Sequence, residues 1–211
     1  SYPIFRLQVI WVLGLAMVVM SGLIYLPPKM ILIIGLVILF GHNLLDNIHA
    51  SGNSFKDFLW AELHERKAFS FAGRKIRTGY PLLPWLGIMM LGYSIGKLYK
   101  KGMDAEVRKR YLITIGSAAI VLFLLLRGIN RYGDMAPWST QNSPDLTVCS
   151  FLNLTKYPPS LMYALMTLGP ALVVLALLEK PLNWLGKAII PIGRVPLFFY
   201  ILHLFLIHVL A

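Results

Sequence analysis

The chain has 211 residues, of which 57% are hydrophobic and only 14% are charged. Soluble domains average about 25% charged and about 45–50% apolar residues, so this composition excludes a water-soluble globular protein. A single cysteine, Cys149, excludes a disulfide-built scaffold, and the high apolar content excludes a disordered chain. The net charge of +11 would indicate nucleic-acid binding in a soluble protein, but in a membrane protein it is typical of basic loops that face an anionic leaflet.

Six long apolar runs predict membrane-spanning helices. They are rich in Leu, Ile, Val and Met and lack the polar alternation of barrel strands. The hydrophobic residues suffice for six spans of about 20 residues each. The sequence therefore predicts an all-α fold, a polytopic transmembrane helix bundle of about six spans in a single membrane domain over residues 1–211. The runs cover residues 5–26, 30–46, 81–99, 111–127, 160–178 and 192–211.

The connections between the runs predict which side of the membrane each one faces. Residues 27–29 (Pro-Pro-Lys) form a tight turn, so the first two spans are a predicted hairpin. The basic loop 100–110 is expected in the cytoplasm, because Lys and Arg are enriched in cytoplasmic loops. By alternation, the long segments 47–80 and 128–159 then face outward.

The second run ends in a group of ionisable side chains. If the helix continues, His42, Asp46 and His49 project from one face. A carboxylate one turn from an imidazole fixes the tautomer and raises the basicity of that imidazole, as a general base requires. The alternatives are a polar helix end that meets headgroups and water, or a metal site. A metal is not expected, because a third strong ligand within the span is lacking.

The last run carries Tyr200 and His203, which are three residues apart and share a helical face. Ionisable groups inside spans are costly and tend to face a functional cavity, so His203 is a candidate for the site. The alternative is a structural histidine that donates one hydrogen bond to a neighbouring helix.

The segment 128–159 is rich in Gly, Pro, Asn and aromatic residues, which is typical of an ordered lid. In a lid, aromatic rings would stack on a sugar while polar side chains bind its hydroxyl groups. The alternative is an aromatic belt at the membrane interface, with turn residues between the rings. Ser160 is predicted to cap the fifth span. The stacking candidates are Tyr132, Trp138 and Tyr157, and the polar candidates are Asn130, Arg131 and Asp134.

Two further features have structural as well as functional interpretations. Gly92 and Gly96 predict a helix face that packs closely against another helix. The basic loop 100–110 is suited to the phosphates of a nucleotide-bearing donor. Such a loop more often anchors a protein to anionic lipid.

Five strings of the sequence carry a family resemblance. They are FGHNLLD at 40–46, YPLLPWLG at 80–87, YGD at 132–134 with PW at 137–138, FLNLTKYPPSL at 151–161 with MTLGP at 166–170, and PLFFYILH at 196–203. These strings resemble a bacterial multi-span membrane family that is grouped with the catalytic domain of heparan-alpha-glucosaminide N-acetyltransferase. The first span of that family carries an Asp…Arg-Gly motif followed by an Asp-His pair, which nothing here matches. The chain therefore resembles the C-terminal part of the family, and we expect it to be a portion of a longer protein.

The resemblance implies an integral membrane acetyltransferase, expected in a bacterial cytoplasmic membrane. Such an enzyme takes an acetyl group from cytosolic acetyl-CoA and delivers it to an amine or hydroxyl of a sugar on the opposite side. The principal catalytic histidine of the family lies in the part that this chain does not match, so no residue here inherits that role. The expected site residues are His42, Asn43, Asp46 and His203 for catalysis, Arg127, Asn130, Asp134, Lys156 and Tyr157 for the acceptor, and Lys100, Lys101, Arg108 and Arg110 for the phosphates of acetyl-CoA.

Functions of two other classes stay open on the sequence alone. A transporter or flippase for a sugar-lipid or small solute would move its substrate without consuming acetyl-CoA, and it would show inverted repeats or broken spans, which are not visible in this sequence. A non-catalytic partner in an envelope-modification complex is the third alternative. The expected partners are the lipid bilayer and a glycan acceptor, with no nucleic acid, and a homo-oligomer is compatible with the sequence.

Overall fold

The structure is a computed structural model that describes residues 4–71, 73–179 and 184–210, most of which are helical. The helical character of the predicted all-α fold is therefore confirmed, but a three-stranded sheet that the sequence did not predict is also present. The helices are α1 (Val9–Leu23), α2 (Pro28–Gly41), α3 (Phe55–His64), α4 (Leu82–Ile95), α5 (Ala105–Ile129), α6 (Pro144–Leu152), α7 (Leu161–Leu177), α8 (Trp184–Arg194) and α9 (Pro196–Leu210). A 3-10 turn over His42–Leu45 follows α2, and a second one over Gly96–Tyr99 follows α4.

Two of the described helical segments are long and apolar enough to cross a membrane. These are Pro28–Leu45, with 18 residues, and Ala105–Ile129, with 25 residues. The apolar helices α1, α7 and α9 are shorter, with 15, 17 and 15 residues. At about 1.5 Å per residue, 15 residues cover about 22 Å, which is less than the hydrocarbon thickness of about 30 Å. Two candidate spans are therefore found, and the total of six stays a prediction.

Helices α1, α2 and α4 share one hydrophobic core. At its centre α2 and α4 approach closely, because both have a glycine at the crossing. A Cβ on Gly87 would lie 2.8 Å from Cγ2 of Ile38, and one on Gly35 would lie 3.0 Å from Cβ of Met90. The buried residues of this core are Val12, Ala16, Met20, Ile31, Leu82, Leu86 and Met90.

Helices α5 and α7 form a second pair that also crosses at glycines. A Cβ on Gly116 would lie 2.8 Å from the carbonyl oxygen of Gly169. The predicted packing face of Gly92 and Gly96 is not formed among the described residues, because a Cβ built on either residue would meet no atom of another element within 4 Å. The reason is rotational, since Gly92 lies about 140° and Gly96 about 180° around α4 from Gly87, which faces α2.

The segment 47–80 folds into α3 and most of a small sheet. The strands are β1 (Phe5–Leu7), β2 (Ala68–Phe71) and β3 (Arg74–Thr78), in the order β1-β3-β2. β1 runs parallel to β3, and β2 runs antiparallel to it. Residues 5–7 therefore form a strand, and the expectation that the first span begins there is wrong. Phe69 of β2 is buried, and its ring centroid lies 5.6 Å from that of Phe58 in α3. The sheet therefore packs on α3.

The helices bring Asn43, Asp46 and the segment before α7 to one end of the bundle. Backbone bonds place this end at the start of α1, because Gly79 N–H donates to the Leu7 carbonyl at 3.0 Å. The end of α2 and the start of α7 meet there too, since Leu161 N–H donates to Asn43 Oδ1 at 3.0 Å. We call this the sheet end. The opposite end, where α5 begins and α7 finishes, holds the basic loop 100–110, and we call it the basic end.

Candidate functional site

The sheet end is organised around a hydrogen bond between Asp46 and His64. Asp46 follows the 3-10 turn after α2, and His64 is the last residue of α3. Nε2 of His64 lies 3.1 Å from Oδ1 of Asp46, and the two side chains are only 3% and 13% exposed. Nδ1 of His64 is buried and has no hydrogen-bond partner in the described structure. Because Nε2–H donates to the carboxylate, Nδ1 of the neutral ring carries the lone pair.

His42 lies beside this pair but has both ring nitrogens occupied. Its Nδ1 is 3.1 Å and 3.0 Å from the carbonyl oxygens of Ile38 and Leu39, and its Nε2 is 3.0 Å from the carbonyl oxygen of Pro159. Its ring centroid is 5.9 Å from that of His64. Since carbonyl oxygens lie against both ring nitrogens, neither nitrogen of His42 is open to a substrate. His42 instead ties the end of α2 to the segment before α7.

The predicted single face of His42, Asp46 and His49 is wrong. Helix α2 ends at Gly41, and the tighter 3-10 turn changes the angle between successive side chains. His49 lies beyond the turn with a 60% exposed side chain, 3.4 Å from Oε1 of Glu65. The carboxylate–imidazole pair is therefore formed with a histidine from another helix.

Asn43 holds Asp46 in place. Its Nδ2 donates to Oδ2 of Asp46 at 2.8 Å, while its Oδ1 accepts from the backbone N–H of Leu161 at 3.0 Å. The amide thereby connects the carboxylate to the first turn of α7. Three of the predicted catalytic residues, His42, Asn43 and Asp46, are thus brought together.

His203, the fourth predicted catalytic residue, is not part of this cluster. It is exposed on α9, and its Nδ1 lies 3.1 Å from the carbonyl oxygen of Phe199 in its own helix. Its ring contacts that of Tyr200, with 5.2 Å between the centroids. The shared face with Tyr200 is confirmed, but in the described structure His203 does not reach Asp46 or His64.

Asp134 organises the segment between α5 and α7. Its carboxylate accepts from the backbone N–H and hydroxyl of Thr155 at 2.9 and 2.7 Å, and from the hydroxyl of Ser160 at 2.6 Å. It also accepts from Ala136 N–H at 2.8 Å. Ser160 in turn accepts from Tyr163 N–H at 3.0 Å, which confirms the predicted cap of α7. The hydrogen bonds of the Asp134 carboxylate therefore stabilise the fold of the segment.

Arg127 and Asn130 also hold this segment together. The buried Arg127 guanidinium donates to four backbone carbonyl oxygens at 2.9 to 3.2 Å, which belong to Ala136, Ser150, Phe151 and Asn153. Asn130, in the left-handed conformation with φ of 56°, exchanges two hydrogen bonds with the backbone of Trp138. Many hydrogen bonds hold the segment in one conformation, and its role as a lid stays a prediction. However, these two predicted acceptor contacts are directed into the protein.

Lys156 and Tyr157 face outward at the same end, where two phenols meet. Oη of Tyr157 lies 3.0 Å from Oη of Tyr80. The hydrogen bond from Tyr80 lowers the pKa of Tyr157, and the cations of Lys156 and Arg66 beside the ring lower it further. The same bond raises the pKa of Tyr80 to about 12, because Tyr80 acts as the donor. Tyr157 is therefore the phenol that ionises first.

The predicted phosphate contacts all lie at the basic end. Lys100, Lys101 and Arg110 are exposed there. Arg108 is paired with Glu179, with Nε 2.7 Å from Oε1, and its guanidinium lies 4.8 Å from the ring centroid of Tyr99. Along α5, the 19 residue steps from Arg108 to Arg127 correspond to about 28 Å, so the two groups of predicted contacts are separated by the length of the bundle.

The sequence did not single out His64. Asp46 and His64 are 18 residues apart, and α3 was not predicted. A signal was present, because Ser54 and Asp57 form a capping box at the start of α3. In the described ranges, no group of three or more His, Cys, Asp or Glu side chains is arranged to hold a metal ion.

One protein-family model matches the part of the chain that contains this site. The model of the family described as heparan-alpha-glucosaminide N-acetyltransferase, catalytic, matches residues 4–127, which is more than half of the chain. The matched range includes Asp46, His64 and all three strands. No curated protein and no solved structure matches the chain.

Proposed function

The chain belongs to the heparan-alpha-glucosaminide N-acetyltransferase catalytic family, and from this membership we propose that it forms part of a membrane enzyme that transfers acetyl groups from acetyl-CoA. The proposed acceptor is an amine or hydroxyl of a glycan of the bacterial envelope. The observation that supports this proposal most directly is the buried Asp46–His64 hydrogen bond, which leaves the second nitrogen of His64 without a partner. A general base requires an imidazole that is oriented on one side and unoccupied on the other.

In this proposal, Nδ1 of His64 accepts the proton of the acceptor amine or hydroxyl. The acceptor atom then bonds to the carbonyl carbon of acetyl-CoA, the carbon–sulfur bond breaks, and the CoA thiolate leaves and takes up the proton. Asp46 remains hydrogen-bonded to Nε2 and stabilises the imidazolium that exists between the two proton transfers. The products are the acetylated acceptor and CoA.

The acceptor needs a path to His64, because Nδ1 is enclosed by protein atoms. The ring of Trp60 packs beside His64 with 5.8 Å between the centroids. Trp60 is only half-buried, and its indole N–H donates to the carbonyl oxygen of Ile48 at 2.9 Å. In our proposal, displacement of this indole opens the path from solvent to the base.

The donor is proposed to approach from the basic end. Lys100, Lys101 and Arg110 are exposed there and are suited to the phosphates of CoA. Arg108 contributes less in this proposal, because its guanidinium is already paired with Glu179. The proposal requires the acetyl-bearing arm of the donor to extend from the basic end along the bundle to His64, over the distance of about 28 Å that separates the two ends.

The proposal is tested by acetyl transfer with labelled acetyl-CoA in the full-length protein. We expect His64→Gln to lower kcat by about 10²- to 10⁴-fold, because that is the contribution of a positioned general base. His49→Gln is the matched control, since His49 is also a histidine beside a carboxylate but is exposed and outside the cluster. It should change kcat by less than about twofold.

The same experiment separates the other functional classes. A transporter would move glycan or solute into vesicles while labelled acetyl-CoA stays unconsumed. Folded His64→Gln protein that retains the wild-type kcat would contradict the role of His64. Absence of any acetyl transfer to amine or hydroxyl acceptors by the wild-type protein would contradict the enzyme itself.

A further inference from the structure

A second polar site lies at the sheet end, outside the Asp46–His64 pair. A pocket of about 200 Å³ opens between the sheet and the segment before α7. Three arginines and two tyrosines line it, together with Gln8 and Gly79. We call it the arginine pocket. Its charged and phenolic lining residues are Arg6, Arg66, Arg77, Tyr80 and Tyr157.

The sheet register brings two of these cations together. In the parallel pairing of β1 with β3, Arg6 lies directly opposite Arg77. Residues opposite each other in neighbouring strands point to the same face, and two like charges in this position repel. Arg66, two residues before β2, adds a third cation, which lies 5.3 Å from the ring centroid of Tyr157.

No carboxylate of the described residues balances these charges. The ion pairs of the structure are made by other cations, and none of the residues lining the pocket is acidic. The nearby Glu65 is engaged elsewhere, because its side chain accepts from Ala50 N–H at 2.8 Å and lies beside His49. Arg6, Arg66 and Arg77 are solvent-exposed, and three arginines that line one pocket without a carboxylate favour the binding of an anion.

The size and the donors of the pocket define the class of that anion. Guanidinium groups bind the oxygens of phosphate and carboxylate through paired N–H donors. Three of them, with phenolic and amide donors beside them, match the charge and the several oxygens of a phosphate monoester better than those of one carboxylate. The volume is smaller than the roughly 300 Å³ of drug-sized pockets, which suits a phosphate and the few atoms attached to it.

We propose that the arginine pocket binds the phosphate of a phosphate monoester, through Arg6, Arg66 and Arg77. The phosphate belongs either to a small soluble ester or to the headgroup of an anionic lipid. Both sources supply the same chemistry at the pocket. The residues that line this site do not include Asp46 or His64.

The test is calorimetric titration of the full-length protein in phosphate-free detergent micelles, with glycerol 3-phosphate as the probe. We expect saturable binding that Arg77→Gln and Arg6→Gln each weaken by about tenfold or more, because charge-assisted hydrogen bonds are lost. Arg74→Gln is the matched control, since Arg74 lies on the same strand but does not line the pocket. It should leave the affinity within about twofold of wild type.

Further experiments distinguish a soluble phosphate ester from a lipid headgroup and control for misfolding of the variants. In nanodiscs, phosphatidic acid in place of phosphatidylcholine should abolish glycerol 3-phosphate binding if the natural ligand is a lipid headgroup. It should leave binding unchanged if the ligand is a soluble ester. Arg77→Lys retains the charge but lacks the paired donors, so we expect an intermediate loss in a protein whose unfolding midpoint equals that of wild type.

Three results would overturn the proposal. One is the absence of saturable binding of both glycerol 3-phosphate and phosphatidic acid. Another is an equal loss in Arg74→Gln and Arg77→Gln, which would indicate attraction to a basic surface rather than to this pocket. The third is tighter binding of glucuronate than of glycerol 3-phosphate, which would assign the pocket to carboxylates.

Discussion

Nε2 of His64 donates to Oδ1 of Asp46 at 3.1 Å, and this bond joins the last turn of α3 to the chain that leaves α2. Asn43 holds the other carboxylate oxygen at 2.8 Å, so Asp46 is fixed from both sides. His42 occupies the neighbouring position, but its nitrogens are directed at carbonyl oxygens of α2 and of Pro159. The two histidines therefore differ in what they can do. His42 connects the end of α2 to the segment before α7, whereas Nδ1 of His64 has no hydrogen-bond partner in the described structure.

The crossing of α5 and α7 depends on the absence of a side chain at Gly116. We expect Gly116→Ala to lower the free energy of unfolding by about 1–3 kcal/mol, because the added methyl group would meet the Gly169 carbonyl oxygen and Val173 Cγ2 at 2.8 Å. Gly92→Ala is the control, since no atom lies within 4 Å of its new Cβ. The unfolding midpoint in detergent measures both, and a Gly116→Ala midpoint equal to that of Gly92→Ala would refute the close crossing.

Asp134 is predicted to stabilise the segment between α5 and α7 rather than to bind the acceptor. Asp134→Ala removes the acceptor for Thr155, Ser160 and Ala136, so we expect a loss of about 2–4 kcal/mol and rapid proteolysis between residues 130 and 160. Asp145→Ala serves for comparison, because this exposed carboxylate lies in the first turn of α6. Its loss should cost at most about 1 kcal/mol. Unchanged proteolysis of Asp134→Ala would show that the segment is held by other contacts.

Glu62 makes the stability of the sheet end depend on pH. Burial raises the pKa of this carboxyl group, although the hydrogen bond from the indole of Trp11 at 2.5 Å opposes the shift. A carboxyl whose pKa is raised by folding favours the folded state below its unfolded pKa, and this contribution is lost as pH rises through the folded pKa. The wild-type protein should therefore lose stability relative to Glu62→Gln as the pH rises from about 4 to 7.

The free energies of unfolding of the wild-type protein and of Glu62→Gln are also expected to differ at neutral pH. Oε2 of Glu62 is buried without a hydrogen-bond partner in the described structure. Glu62→Gln keeps an acceptor for Trp11 and removes the buried charge, so it should raise the free energy of unfolding by about 1 kcal/mol or more. Parallel unfolding curves of the two proteins at pH 4 and 7 provide the measurement. A difference that is the same at both pH values would contradict the buried, ionised carboxylate.

Local signals in the sequence predicted several of these elements correctly. The apolar runs predicted the positions of α2, α5 and α7, and Ser160 was predicted to begin α7. These features depend on residues within a few positions of one another. Periodicity, turn residues and caps are therefore sufficient to predict them.

The remaining features depend on contacts between distant residues. The partner of Asp46 is on a helix that the apolar pattern did not reveal, and β1 pairs with a strand about 70 residues further along the chain. The glycines that allow close crossings, Gly87 and Gly116, lie in apolar helices as Gly92 and Gly96 do, but a Cβ on either of the latter would meet no atom of another element. Only the rotation of each helix about its axis distinguishes them.

The measurement that tests the central claim most directly is chemical rescue of a His64→Ala variant. In the full-length protein, this substitution removes the proposed base and is expected to leave a space beside Asp46 that an imidazole molecule fits. We predict that free imidazole restores acetyl transfer in His64→Ala in a concentration-dependent manner and has no such effect on His49→Ala. If folded His64→Ala gains no activity with imidazole, or if it is as active as wild type without it, His64 is not the proton acceptor.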